Sequence, residues 1–387
     1  MIKRKLEKEL LLLIKEYPVV TILGPRQAGK TTLAKQALPE YRYANLEDPE
    51  TREFAQQDPK AFLAQFITPV IIDEIQRVPT LLSYIQVHVD EQQKNGFFVL
   101  TGSHQLQLRE AVAQSLAGRT ALLQLLPLSI EELQSANIKF DNFDEYCFTG
   151  FLPRIYQQKM RPSTAYSNYY QTYVERDVRL LINLKDMTVF EKFLKLMAGR
   201  VGQVISYSSL ANDVGVDQKT IKHWLSILEA SFIVHKLPAY FENFGKRVIK
   251  SPKYYFMDVG LLCFLLGIKK PEQVSRDPLV GNIFENMVVM ECVKACYNRG
   301  EMANLYYFRD SNGNEVDVVY QQGRELLAIE IKSASTFSMK QLKGLKRFAE
   351  LSDQVAGLRL VYSGNKKILS DDIETVRFDD VASFFDY

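Results

Sequence analysis

A chain of 387 residues, 47% of them hydrophobic and 24% charged, exceeds one ordinary core and predicts two or three domains. Its net charge of +2 excludes recognition of a polyanion through bulk charge and leaves only a local patch for nucleic acid. No apolar run approaches the roughly 18 residues of a membrane span. The four cysteines lack metal-ligand or disulfide-like spacing, so a cytoplasmic protein with core thiols and no membrane partner is expected.

Residues 2–16 predict an amphipathic helix, with Leu6, Leu10, Leu13 and Ile14 on one face. The β-branched run that follows ends in Gly24-Pro25-Arg26-Gln27-Ala28-Gly29-Lys30-Thr31-Thr32, and a helical segment comes next. This fits G-x-x-x-x-G-K-[ST] without a mismatch. Glycines at both ends let the backbone close around phosphates with its N–H groups inward. The following helix aims its positive end at the same anion. Lys30 is then expected to reach the β- and γ-phosphates, and the Thr31 hydroxyl to hold Mg²⁺.

A short strand is predicted over 41–46 and helices over 49–57 and 59–65. The next strand, 69–74, ends in Asp73-Glu74. Downstream of a phosphate loop, an aspartate there serves Mg²⁺ and a glutamate can take a proton from the attacking water. A helix over 80–95 leads to a third apolar strand, 97–103, which ends at Ser103, a candidate sensor of the terminal phosphate. Arg119 is a candidate for stabilising transition-state charge, in cis or in trans within a homo-oligomer, and Arg109 is its competitor. Strands alternating with helices predict a doubly wound parallel sheet, the P-loop NTPase type of α/β fold, over residues 1–140.

Residues 141–275 read as helical, with long helices over 166–184 and 189–199. Helix, Gly-containing turn and helix follow over 206–225, with Ser206 and Asp217 as N-caps. Apolar strands at 233–237 and 254–257 complete the outline of a winged helix–turn–helix. It would offer Gln218, Lys219, Lys222 and His223 to a DNA groove, and Lys246, Arg247, Lys250 and Lys253 to phosphates. A protein partner is the alternative, since Glu229 and Glu242 interrupt the patch. Trp224 is expected in the core.

Residues 276–387 predict a small α/β domain: a helix over 279–297, strands at 305–309, 315–320 and 326–331, a helix over 338–351 and a strand at 358–362. Asp317 and Glu330-Ile331-Lys332 fall on neighbouring strands of a hairpin. Glu330 and Lys332, two apart, share a face. With Glu285 from the helix, Asp317 and Glu330 form a candidate metal site, with Lys332 positioning water and Gln341 assisting. This arrangement is similar to the active site of restriction-endonuclease-like nucleases. A buried ion-pair network is the alternative.

The motifs Gly24–Leu33, Asn45-Leu46-Glu47-Asp48-Pro49, Ile72-Asp73-Glu74-Ile75-Gln76, Leu100-Thr101-Gly102-Ser103, Ala117-Gly118-Arg119 and Leu126-Pro127-Leu128-Ser129 resemble a prokaryotic family. It is that of AAA-type ATP-binding proteins with a C-terminal domain of unknown function. Gly150-Phe151-Leu152-Pro153, Tyr173-Val174-Glu175-Arg176-Asp177 and residues 254–261 extend the likeness over nearly the whole chain. Thr149 stands where that family usually has Gly. The resemblance is specific for nucleotide binding; with the readings above it leads to an expected ATPase with ATP and Mg²⁺ as cofactors, whose turnover rearranges a nuclease-like module, with double-stranded DNA or a protein as the candidate partner. The alternatives are a metal-dependent DNA nuclease switched by ATP, a non-hydrolysing nucleotide-gated adaptor and, more weakly, a small-molecule kinase. Asp73-Glu74 argues against the kinase, which needs no water-activating base.

Overall fold

The structure, a computed structural model, describes residues 2–103, 108, 111–112, 114–178, 187–241, 250–365, 369–370 and 373–385. Arg109, Lys246 and Arg247 lie outside the described residues. The chain divides into two compact units: Met1–Leu128 with Ala230–Phe232 and Tyr297–Glu301, and Ser129–Glu229 with Ile233–Cys296 and Met302–Tyr387. The helical stretch and the C-terminal sheet, assigned to separate domains from sequence, thus share the second unit.

The first unit is built on five strands: β1 (Val19–Leu23), β2 (Arg42–Asn45), β3 (Val70–Asp73), β4 (Phe98–Gly102) and β5 (Thr120–Gln124). Their order is β2-β3-β4-β1-β5, and every pairing is parallel. β1, β3 and β4 are buried along their whole length, as strands covered on both faces must be. The helices are α1 (Glu7–Glu16), α2 (Lys30–Ala37), α3 (Pro49–Gln57), α4 (Pro59–Ala64) and α5 (Leu81–Gln92). Leu6, Leu10, Val20, Ile22, Leu33 and Leu123 belong to one buried cluster, with Leu13 and Ile14 partly buried against it. The apolar stripe read from the sequence therefore faces the sheet. β5 was missed because an edge strand buries alternate residues: Ala121 and Leu123 are inside, while Leu122 is exposed.

Because all five strands run the same way, their carboxyl ends meet on one edge of the sheet. The register sets Leu23 beside Gly102 and Asn45 beside Asp73. The phosphate loop, Asp73-Glu74 and Ser103 are thereby neighbours, although the chain separates them widely.

In the second unit, the helix Pro162–Tyr169 runs into a π-helical stretch, Tyr170–Val178. The later part of the long helix predicted from sequence lies outside the described residues. Helices Tyr207–Val214 and Gln218–Ala230 flank Gly215, whose φ of 92° suits a residue without Cβ. Both predicted N-caps form: Ser206 Oγ accepts from Ser209 N at 3.3 Å, and Asp217 Oδ1 from Thr220 N at 2.7 Å. β6 (Val234–Leu237) and β7 (Lys253–Phe256) pair antiparallel.

The helix Val280–Tyr297 is buried around most of its circumference, so it is a core helix rather than an amphipathic one. A mixed six-stranded sheet follows: β8 (Leu305–Arg309), β9 (Glu315–Gln322), β10 (Glu325–Lys332), β11 (Val355–Tyr362), β12 (Leu369–Ser370) and β13 (Ile373–Arg377). Its order is β12-β13-β11-β10-β9-β8. Leu342, Leu345 and Phe348 cover one face, against Val316, Val319, Ala328 and Leu360. Among the described residues no helix is long and apolar enough to cross a membrane.

Candidate functional site

The loop between β1 and α2 is shaped by its glycines. A Cβ on Gly24 would lie 2.0 Å from the Leu125 carbonyl oxygen, so no other residue fits there. Gly29 has a φ of 91°, in the left-handed region. Gln27, with a φ of 62°, is held in the same region despite its side chain, a strain typical of binding loops. Arg4, which sequence reasoning passed over, supports the loop from behind. It is buried and donates to Ala28 O at 2.6 Å and Leu126 O at 2.7 Å. Its only sequence signal was a basic residue ahead of an amphipathic helix.

Lys30 opens α2 and is 6% exposed. Its ammonium donates to Gly24 O at 3.0 Å and Pro25 O at 2.9 Å, so the cation is stored inside the loop that it would serve. Burial lowers its pKa to about 8, against the opposing pull of Glu74 and Asp73. Of the other loop residues, Pro25 and Ala28 are buried, Arg26 is half-buried, and Gln27 and Thr32 face solvent.

Asp73, at the end of β3, is almost fully buried, and its carboxylate is paired accordingly. Oδ2 accepts from Thr31 Oγ1 at 2.9 Å and from the Tyr43 hydroxyl at 2.8 Å, and Oδ1 accepts from Thr101 Oγ1. A hydroxyl beside a carboxylate is the hard oxygen set that Mg²⁺ prefers, so Thr31 and Asp73 fit the ion. Tyr43 was not anticipated. Burial first, then the hydrogen bond to Asp73, raises its pKa, and the Lys35 ammonium sits 3.2 Å from its ring centroid. It lies on an edge strand, where no motif marks it.

Glu74 adopts a left-handed backbone with φ of 57°, which turns its side chain off the strand end. Its Oε2 accepts from Ser103 Oγ at 3.1 Å and from Gln76 Nε2, and Gln76 Nε2 also lies 3.2 Å from Ser103 Oγ. Ser103, proposed from its place after β4, is therefore brought to the candidate base. The Glu74 amide donates to Thr101 Oγ1 at 3.3 Å, so one threonine links both acids.

Arg119 is not brought to this site. It immediately precedes β5, and its carbonyl accepts from Val19 N, at the start of β1. The phosphate loop leaves from the other end of β1, four residues and about 13 Å away. The guanidinium instead grips Asp90 through Nε at 2.6 Å and Nη2 at 2.9 Å. The role expected for it in cis is thus corrected: a parallel strand places its two ends on opposite edges of the sheet.

The acids proposed for the second unit do come together. Continuing the β9–β10 register one step past Ile329 and Val318 sets Glu330 opposite Asp317. Lys332 Nζ lies 2.5 Å from Glu330 Oε1 and 3.6 Å from Asp317 Oδ2. Asp317 Oδ2 also accepts from Ile331 N at 2.8 Å. Glu285 faces the same cluster, but its Oε1 is taken by the Tyr255 hydroxyl at 2.6 Å and by Lys253 Nζ at 3.0 Å.

Lys253 was expected to be an exposed phosphate contact and is 2% exposed. Its ammonium lies 2.5 Å from Glu315 Oε1 and 4.0 Å from Asp317 Oδ1. Burial pulls its pKa down, but Tyr255, Glu285, Asp317 and Glu315 outweigh that and keep it charged. Burial raises Glu285, and burial with Asp317 raises Glu330. Among the described residues no group of three or more acidic, His or Cys side chains is arranged to hold a metal ion. The residues do not fit the divalent ion that the nuclease resemblance implies. Gln341, proposed as an assistant, lines the same cavity as Glu315, Glu330 and Lys332, where its Oε1 accepts from Ser338 N at 2.9 Å.

A parallel sheet whose carboxyl edge carries the loop lysine, its threonine and the Asp-Glu pair defines a P-loop ATPase-type nucleotide-binding domain. The comparisons agree: the model of an AAA domain matches residues 16–134. Residues 140–272 match a domain of unknown function (DUF8612), and residues 280–379 match another (DUF4143). The uncharacterized protein Rv2008c of Mycobacterium tuberculosis is 30% identical over 372 residues, covering 95% of this chain and 81% of that one. The chain belongs to the family of that mycobacterial protein, with an AAA domain ahead of two domains of unknown function. The uncharacterized protein MJ1544 of Methanocaldococcus jannaschii is 23% identical, over 92% of this chain and 85% of that one. Among solved structures, the Walker-type ATPase PABY2304 of Pyrococcus abyssi matches at a TM-score of 0.42 and 14% identity, over 68% of this chain and 96% of that one. AMPPCP-bound DnaA from Aquifex aeolicus matches at 0.31 and 16%, over 58% and 85%.

The stored lysine makes nucleotide binding depend on pH. An anion prefers Lys30 charged, while burial holds it near pH 8 in the free protein. ATP affinity is therefore expected to fall as pH rises through 8, and binding at pH 8.5 to take up a proton. The triphosphate contributes little there, since a phosphate's last proton leaves at a pKa of about 6. Calorimetry in two buffers of different ionisation enthalpy reads the uptake directly; equal heats in both would refute it.

Proposed function

We propose that this chain binds ATP with Mg²⁺ at the carboxyl edge of its first sheet and hydrolyses it, using turnover to rearrange a DNA-contacting second unit. The observation that carries this reading is the meeting of Lys30, Thr31, Asp73, Glu74 and Ser103 on one sheet edge. The loop amides and Lys30 would cradle the phosphates. Thr31 and Asp73 would hold Mg²⁺, which neutralises charge on the phosphate oxygens when bound. Glu74 would accept the proton of the attacking water, released from Ser103 and Gln76 as the terminal phosphate engages that serine.

For the second unit, a two-faced helix supports contact with double-stranded DNA. On Gln218–Ala230, Ile221, Trp224, Leu225 and Leu228 are buried, while Gln218, Lys219, Lys222 and His223 are exposed. That spacing, with an antiparallel strand pair following in the chain, supports a winged-helix reading, in which the exposed face would dock in a major groove. The nuclease reading is less well supported, because a lysine from outside the motif, Lys253, pairs with Glu285 and Glu315.

The test is phosphate release from Mg·ATP with and without duplex DNA. We expect turnover in the wild type, several-fold stimulation by DNA, and loss of that stimulation in the Lys219→Glu, Lys222→Glu variant. Stimulation unchanged in that variant would remove the helix from the DNA contact. No turnover at all would favour a nucleotide-gated adaptor.

A further inference from the structure

We infer that the ammonium of Lys253 is a built-in cation occupying the place of a divalent metal, so that the nuclease-like acid cluster is closed to metal ions. The cluster joins three elements of the second unit: Glu285 from the helix Val280–Tyr297, Glu315 and Asp317 from β9, and Glu330 from β10. Lys253, at the start of β7, comes from outside that sheet. Its Nζ lies 3.0 Å from Glu285 Oε1, 2.5 Å from Glu315 Oε1 and 4.0 Å from Asp317 Oδ1.

A divalent ion bound by carboxylates needs oxygens at about 2.0–2.6 Å. An ion that close to Glu285 and Asp317 would overlap the ammonium and its hydrogens. The surroundings keep the lysine in place. Its backbone is paired on both sides, to Leu237 within the β6–β7 hairpin and to Val204 through an isolated bridge. The Tyr307 ring lies 5.3 Å from its Nζ. Glu285 Oε1 is also claimed by the Tyr255 hydroxyl, and the second Glu315 oxygen by Arg309 at 3.3 Å. On the other side, Lys332 Nζ pairs with Glu330 Oε1 and lies 3.6 Å from Asp317 Oδ2, while Glu330 Oε2 is buried without a hydrogen-bond partner among the described residues.

A buried charge persists only when paired. The acids thus need cations, and the chain supplies three of its own, Lys253, Lys332 and Arg309. The cluster fastens β7 to the C-terminal sheet in place of polarising a phosphodiester. If the second unit contacts duplex DNA as proposed above, this cluster would not cut it.

The test uses the full chain and Mn²⁺, read by the electron paramagnetic resonance of the free ion. Wild type and Asp317→Asn are expected to bind the same number of Mn²⁺ ions, any at the nucleotide site included. Lys253→Met is expected to gain one ion, bound at least about tenfold more tightly than anything dependent on Asp317 in the wild type. The gain should vanish in Lys253→Met, Asp317→Asn. Loss of an ion in Asp317→Asn alone would overturn the inference, since metal would then displace the lysine. A folded Lys253→Met that gains no ion would overturn it too. Should that variant not fold, the comparison of wild type with Asp317→Asn decides. The ATPase reading is untouched by any of these results.

Discussion

Glu74→Gln is expected to bind ATP normally and to hydrolyse it at least about 100-fold more slowly, the range over which a positioned general base contributes. The substitution keeps size, shape and the left-handed backbone of φ 57°. It also keeps partners for Ser103 Oγ and Gln76 Nε2. The capacity to take a proton is lost, together with the negative charge that acts on Lys30. Affinity for ATP, read by fluorescence of a labelled analogue, should change by less than about threefold, so that kcat and binding separate. The stalled variant should hold its nucleotide through gel filtration. Turnover within threefold of wild type would move the base elsewhere and leave Glu74 a structural acid at a strand end.

Lys30→Met should remove binding instead of turnover. The ammonium is buried and held by Gly24 O and Pro25 O, one short movement from where the phosphates would lie. A charge-assisted hydrogen bond contributes about 1.5–3 kcal/mol, and each 1.4 kcal/mol is a factor of about ten in affinity. An affinity loss on the order of 100-fold follows, measured by calorimetry with Mg·ATP. The fold should survive, because the same burial that lowers the lysine's pKa also makes its charge costly. A melting temperature within a few degrees of wild type, with binding lost, is the expected pair of results. Retained affinity would mean that the loop amides alone hold the phosphates.

Most of the first unit was legible because its code is local. A β-branched run, a glycine loop and a helix start in succession have one common solution. The ends of β1, β3 and β4 were placed to within one or two residues, and Ser103 lies 3.1 Å from Glu74 Oε2 at the same edge. The cis role of Arg119 went astray because β5, the strand that Arg119 immediately precedes, was not read from the sequence. Tyr43 and Arg4 escaped because each acts across the fold, on Asp73 and on Ala28 O, with no spacing to announce it.

The second unit divides along the same line. Ser206, Asp217 and the two helices that they cap were readable, since a cap acts on an amide three residues away. β12, of two residues, and β13, at one side of a mixed sheet, were not seen. Lys253 was the largest misreading. Its neighbours in sequence suggested a solvent-facing basic patch, and its neighbours in space are acids.

By itself, then, the amino-acid order determined the parallel nucleotide domain, its loop lysine and threonine, and the acidic pair at the end of β3. These depend on hydrogen bonds and turns within a few residues, and on the apolar run that a doubly covered strand requires. Tertiary structure alone decided which cation meets which acid. Charges act through space, and the pairing of Lys253 with Glu285 and Glu315 exists only once β7, a buried helix and β9 have packed together.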